Sequence, residues 1–194
     1  MSNGHIAAWK KNLPNWLTYG RIGAIPALIM VFFIKGDWGY WLSAGIFLLA
    51  SVTDWLDGYM ARMWQAQSNI GRFLDPIADK LLVATALMLL VQSNSDTVIR
   101  ADIIPAIAIV CREILVSGLR EFLAEIQVSV PVSRLAKWKT AAQMVAIFLL
   151  LLGVGGPDGL HADVLGRILL WIAGILTLVT GYAYFKTGWK HLQE

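Results

Sequence analysis

Six runs of about 20 predominantly apolar residues divide the chain, at 15–34, 40–62, 73–92, 101–121, 136–153 and 163–185. At about 1.5 Å of rise per residue, each is long enough as a helix to cross the roughly 30 Å hydrocarbon core of a bilayer. A helix on the surface of a soluble protein carries its apolar residues as a stripe with polar residues opposite; here they come in long runs. The sequence therefore predicts an all-α, polytopic membrane protein of six transmembrane helices. The breaks between runs, "KGDWG", the stretch around "MWQAQSNIG", "QSNSDTVIR", "AEIQVSVPVSR" and "GVGGPDGLHAD", are rich in turn residues. No long linker or shift in composition interrupts the chain, so residues 1–194 are expected to form one domain, and no convincing internal repeat is visible.

Composition agrees. Of 194 residues, 57% are hydrophobic and 15% charged, with a mean hydropathy of +0.61, against roughly 45–50% and about 25% for a soluble domain. The net charge of +3 does not call for a nucleic-acid partner, because basic residues gathered in the loops of one membrane face explain it. One cysteine, Cys111, excludes an intrachain disulfide framework; in its apolar run it is expected to be a small core residue. The opening "MSNGHIAAWKKNLPNW" has no separate apolar segment with a cleavage site, so no removable signal peptide is expected.

The cations orient the chain. Lys10, Lys11, Arg62, Arg72, Arg120, Arg134, Lys137, Lys139, Lys186 and Lys190 fall on one side, and Lys35, Arg100 and Arg167 on the other. The positive-inside rule places the first group in the cytoplasm, with both termini. Trp9, Trp16, Trp38, Trp41, Trp64, Trp138 and Trp189 lie near predicted span ends, where an aromatic belt would sit. Residues 3–13 read equally as a short helix on the inner surface or as an ordinary flanking segment.

Against this background the stretch "SVTDWLDGYMARMWQAQSNIGRFLDPIADKLL", residues 51–82, is anomalous, because it holds Asp54, Asp57, Asp75 and Asp79. Asp54 and Asp57 are three apart, Asp75 and Asp79 four apart, and both spacings share a helix face. The second run heads toward the cytoplasm and the third away from it, so all four fall in the cytoplasmic half of adjacent antiparallel helices. Carboxylates in a membrane are expensive, and four together repel and would take up protons if unpaired. Arg62, Arg72 and Lys80 could offset part of the charge, in a purely structural salt-bridge cluster. Hard divalent cations do so better. With oxygen ligands alone, and no histidine or cysteine nearby, Mg²⁺ or Mn²⁺ is expected rather than zinc. Two ions sharing these carboxylates would make the two-metal arrangement used on phosphoryl groups. Gly58 and Ala61 clear the same helix face for a ligand, or for close helix packing, and Arg62 is placed to grip phosphate.

The pattern Asp54-x2-Asp57-Gly58-x2-Ala61-Arg62-x8-Gly71-x3-Asp75-x3-Asp79 resembles the complete signature of the CDP-alcohol phosphatidyltransferases, matching at all eight positions. The resemblance implies a six-helix integral membrane enzyme, often dimeric, with a cytoplasmic active site, which displaces CMP from a CDP-activated lipid with an acceptor alcohol. It implies that Asp54, Asp57, Asp75 and Asp79 bind two divalent ions on the CDP diphosphate. Asp79 would also be the base that takes the acceptor's hydroxyl proton. Gly58, Ala61 and Gly71 would make room for the nucleotide, and Arg62 would hold its phosphates.

Further stretches, "NLPNWLTYGRIGAIP" with Asn12, Pro14, Thr18 and Arg21, "CREILVSGLREFLAEI" and "LAKWKTAAQM", resemble bacterial phosphatidylglycerophosphate synthases over roughly residues 12–150. This implies CDP-diacylglycerol and sn-glycerol 3-phosphate as substrates, Asn12 and Thr18 among the CDP-binding residues, and a bacterial inner-membrane location. The residues are consistent with an anionic acceptor. Arg112, Ser117 and Arg120 lie toward the cytoplasmic end of the fourth run, and Arg134, Lys137 and Lys139 open the fifth. A phosphate dianion would find charge-assisted partners among Arg112, Arg120, Lys137 and Lys139, although positive-inside topology and anionic lipids account for some of these cations. Glu113, Glu121 and Glu125 are close enough in sequence to pair with them.

Cardiolipin, phosphatidylinositol-phosphate and phosphatidylserine synthases would keep the same eight signature residues. A transporter of metal ions or protons would want ionisable groups through the full membrane depth. The outward halves of the second and third runs, "YWLSAGIFLL" and "LLVATALMLLV", have almost none, so a one-sided pocket is expected.

Overall fold

A computed structural model describes residues 8–64, 69–92, 100–128, 133–157 and 159–192. For residues 8–15, 57–59, 61, 62, 64, 69, 70, 72, 154, 187 and 190–192 it describes the backbone alone. Six α-helices account for most of this: α1 (Ala8–Phe32), α2 (Asp37–Trp64), α3 (Asn69–Gln92), α4 (Ile103–Glu125), α5 (Arg134–Leu152) and α6 (Ala162–Leu192). Two short 3-10 turns, Arg100–Asp102 and Gly153–Gly155, precede α4 and follow α5, and the described residues contain no strand. Each helix covers one of the six apolar runs. The largest differences are at the two ends, where α1 starts before its run and α6 continues past its run to Leu192. α1 begins at Ala8, so residues 8–13 are its first turns rather than a separate surface helix; residues 3–7 lie outside the described residues.

The chain forms two compact units, residues up to Ala86 and residues from Leu87 onward, with the boundary inside α3. In the first unit α1 packs against α2. They are joined by a tight turn in which Gly36 has φ +91°, a conformation that a Cβ disfavours. Gly39 then lets the chain fold back, because a Cβ there would sit 2.0 Å from the Ile34 carbonyl oxygen. α3 carries Pro76 in its interior, next to Asp75, which removes one backbone donor from the helix ladder at that point.

In the second unit α4 and α5 both pack on α6. Along the α4–α6 contact, Gly174 faces Pro105, Gly181 faces Arg112 and Gly188 faces Leu119. The partners advance by seven residues on both helices, so the two run parallel, in the left-handed register that a seven-residue repeat imposes. A Cβ at Gly174 would lie 2.7 Å from Pro105 Cβ, and one at Gly188 2.9 Å from Leu119 Cδ1. These glycines let the backbones approach in the way small residues do between membrane helices. α5 starts at Ser133, whose side chain accepts a hydrogen bond from the Ala136 N–H, an N-cap that satisfies one of the first-turn donors.

The core is apolar, with Leu28, Phe47, Leu87, Ile109 and Leu150 fully enclosed, but it also holds polar groups, and the surface is unusually apolar. Thr18, Arg21, Ser43, Asp102, Lys139, Gln143, Thr177 and Thr180 are buried, while Met30, Leu49, Met88, Leu115 and Leu178 are among many exposed large apolar side chains. In water that surface would be unfavourable by about 25 cal/mol per Å² of apolar area; against lipid tails it costs nothing. α5 and the Ala162–Lys186 stretch of α6 are long and apolar enough to cross a membrane on length and composition alone. Trp16, Trp38, Trp138 and Trp189 stand exposed near helix ends; the side chains of Trp9 and Trp64 lie outside the described residues. Cys111 corrects one expectation. It is exposed and, with Leu87, Met88, Val91 and Ile107, lines an apolar groove of about 380 Å³. When the surroundings are themselves apolar, an apolar run does not reveal which of its residues face inward.

Candidate active site

The first unit gathers the carboxylates. Asp54 on α2 is ion-paired with Arg21 on α1, Nη1 to Oδ1 at 2.5 Å. On α3, Asp75 Oδ1 accepts a hydrogen bond from the Thr18 hydroxyl of α1 at 2.5 Å. Thr18 and Arg21 are three residues apart, so one face of α1 serves both acids, and each is only 1% exposed. Asp54 is close enough to Asp75 to feel its like charge. Asp79, one turn beyond Asp75, is half-buried and engaged with a neighbouring group. Gly71 is buried. The side chains of Asn12, Asp57, Gly58, Ala61 and Arg62 lie outside the described residues, although their backbone is helical.

Thr18, expected on the nucleotide from the family resemblance, thus reaches Asp75. Arg21 enters the site as the counter-ion of Asp54, a role that the resemblance alone did not assign. A signal for it was present: an arginine within an apolar run has to find an anion, because leaving its charge unpaired there is prohibitive.

The donor set suits a hard divalent cation. Arg21 and Thr18 each take one oxygen, Oδ1 of Asp54 and Oδ1 of Asp75, and leave Oδ2 of each for another ligand. Outer partners that orient ligating carboxylates in this way are typical of metal sites, and all-oxygen donors favour Mg²⁺ or Mn²⁺. Among the described residues no three carboxylate, histidine or cysteine side chains converge by themselves; Asp57 is outside that set.

The second unit holds the basic residues. Lys139 on α5 is 2% exposed and ion-paired with Glu113 of α4, which also accepts from Arg112 Nη1 at 3.4 Å. Arg112 and Arg120 both lie over the ring of Tyr184 on α6. Arg120 and Lys137 are exposed, and among the described residues neither meets a carboxylate. Of the four cations expected around an acceptor phosphate, two are therefore committed to Glu113 and two keep an uncompensated charge. A separate polar cluster was not foreseen. Asp102, fully buried, accepts from Arg167 Nε at 3.0 Å and from Trp171 Nε1 at 2.8 Å, which ties the turn before α4 to α6.

The sequence matches the profile described as CDP-alcohol phosphatidyltransferase over residues 11–179. It is 49% identical over 181 residues to the CDP-diacylglycerol--glycerol-3-phosphate 3-phosphatidyltransferase of Rickettsia bellii, covering 93% of this chain and 97% of that protein. The protein of the same name from Pseudomonas fluorescens is 42% identical over 185 residues, covering 94% and 92%. A CMP-forming cardiolipin synthase of Oryza sativa is 40% identical over 193 residues, covering 93% of this chain and 58% of that one. With Asp54 and Asp75 of the signature held by α1 and a profile match over residues 11–179, the chain belongs to the CDP-alcohol phosphatidyltransferase family.

Proposed function

We propose that the protein transfers the phosphatidyl group of CDP-diacylglycerol to sn-glycerol 3-phosphate, giving phosphatidylglycerophosphate and CMP. The observation that carries the reading is near-complete mutual coverage at 49% identity with a relative of that name. The paired Arg21–Asp54 and Thr18–Asp75 contacts supply a matching site.

In this reaction the acceptor's hydroxyl oxygen attacks the lipid-bearing phosphorus. The new P–O bond forms as the bond to the CMP oxygen breaks, and CMP leaves with that oxygen. Asp79 is proposed to take the hydroxyl proton, which sharpens the nucleophile. Asp54, Asp57, Asp75 and Asp79 would hold two Mg²⁺ or Mn²⁺ ions, whose charge would offset that developing on the diphosphate. Arg21 and Thr18 fix the rotamers of Asp54 and Asp75, so that little reorganisation is needed when substrate arrives. Arg62, Gly58, Ala61, Gly71 and Asn12 are proposed on the CDP group. Arg120 and Lys137, with uncompensated charge, are the strongest candidates for the acceptor's phosphate, followed by Arg112 and Lys139.

The proposal includes six membrane crossings in the inner membrane, with both termini and the carboxylates on the cytoplasmic side, where CMP and glycerol phosphate are soluble. The many exposed large apolar side chains support it, as does the excess of cations on one side. The cardiolipin synthase relative favours a second reading, the same displacement with a lipid alcohol as acceptor. The deciding experiment incubates purified protein with CDP-diacylglycerol and, separately, sn-glycerol 3-phosphate, phosphatidylglycerol, inositol phosphate or serine, and measures CMP release. Release dependent on sn-glycerol 3-phosphate supports the first reading; release only with phosphatidylglycerol overturns it.

A further inference from the structure

Tyr184 meets two guanidinium groups. Arg112 and Arg120 of α4 lie 5.7 and 5.5 Å from its ring centroid, within the range at which a cation is drawn to an aromatic face. The ring is 5% exposed, so it is a fixed plate rather than a mobile surface group. The two arginines are eight residues apart, about two helical turns, and therefore share the face of α4 turned to α6. Gly181, one turn before Tyr184, makes the approach of the first one possible. A Cβ at 181 would come 3.0 Å from Arg112 Cγ.

The cluster carries surplus charge. Among the described residues the two guanidiniums of Arg112 and Arg120 have one carboxylate, Glu113, which contacts Arg112 and is shared with Lys139. Arg112 Nε is buried and has no hydrogen-bond partner. Arg112, mostly buried and with an unused donor, gains from an anion that also meets the exposed Arg120. The aromatic ring offers attraction to both guanidiniums without neutralising either, so it can hold their spacing while leaving their N–H groups for a ligand. A carboxylate in the same place would cancel the charge the ligand needs.

We propose that Tyr184, with Gly181, is a positioning residue that spaces Arg112 and Arg120 to receive a phosphate dianion. Resting on the function proposed above, that dianion is the phosphate of the acceptor. The ring acts through the arginines and touches no reacting atom.

The test uses full-length protein in detergent with Tyr184→Leu, which removes the ring, and Tyr184→Phe, which keeps it. Tyr184→Leu should raise KM for sn-glycerol 3-phosphate about tenfold, the scale of one partly buried cation–ring contact, with KM for CDP-diacylglycerol unchanged. Tyr184→Phe should stay near wild type. A second readout is independent of the reaction. Inorganic phosphate should raise the thermal midpoint of the wild-type and Tyr184→Phe proteins and not that of Tyr184→Leu. If Tyr184→Leu does not fold, Gly181→Ala, which displaces Arg112, should show the same loss. Equal phosphate shifts in wild type and the ring-less variant, no shift in wild type, an equal rise in both KM values, or a Phe variant as impaired as the Leu variant would each overturn the proposal. Should wild type release CMP only with an acceptor that lacks phosphate, the functional reading falls, and the phosphate shift still decides the role of Tyr184.

Discussion

Arg21 and Asp54 form an ion pair of unequal burial: the guanidinium is enclosed in the first unit, whereas 37% of the aspartate side chain is exposed. The arginine is thus a fixed support for a carboxylate that still faces outward. Replacing Arg21 with Gln should lower kcat/KM for CMP release by roughly ten- to a hundredfold, the scale of one close charge pair of about 1.5–3 kcal/mol. Arg21→Lys should recover part of it. Wild-type kinetics in Arg21→Gln would make the pair a packing feature with no part in catalysis.

Thr18 supports Asp75 through one hydrogen bond. Thr18→Val keeps the shape and removes the hydroxyl, so kcat should fall by about tenfold while the thermal midpoint moves little. Thr18→Ser should retain most activity. A valine variant with unchanged kcat would show that Asp75 needs no help from α1.

Asp→Asn at 54, 57, 75 or 79 should in each case nearly abolish CMP release in protein that still folds. EDTA should do the same to wild type, with recovery on adding Mg²⁺ or Mn²⁺, because carboxylates bound to divalent ions cannot be replaced by neutral amides. Two of the four variants retaining full rate, or full activity in chelator with metal content measured as nil, would sink the metal assignment.

A glycosylation or thiol-labelling tag placed within 155–160 should report the outer side of the membrane, and one within 66–69 the cytoplasm. The opposite labelling would put the aspartates on the side away from soluble CMP and glycerol phosphate.

The six helices were legible in the sequence because the physics behind them is local. A run of about 20 apolar residues has few options other than a helix, and α1 to α6 fall on the six runs. Asp54 and Asp75 stood out for a similar reason, since charges in an apolar run are conspicuous, and the structure gives each a partner on α1. Partner choice was not legible. Nothing near Asp54 in sequence points to Arg21, nothing near Asp75 points to Thr18, and Glu113 could have paired with several cations before the fold gave it Lys139 and Arg112. Inside and outside were also hidden, because apolar residues fill both the core and the exposed faces, so an apolar run does not say which of its residues turn inward: Cys111 is exposed and Thr177 buried. The glycines at 174, 181 and 188 were visible as letters, but their meaning depends on α4 lying parallel to α6 with Pro105, Arg112 and Leu119 at matching heights. Sequence by itself determined which segments are helices and where charge must be compensated. Only the tertiary structure decided which residue compensates it, because an ion pair or a close helix crossing depends on distances between segments far apart in the chain.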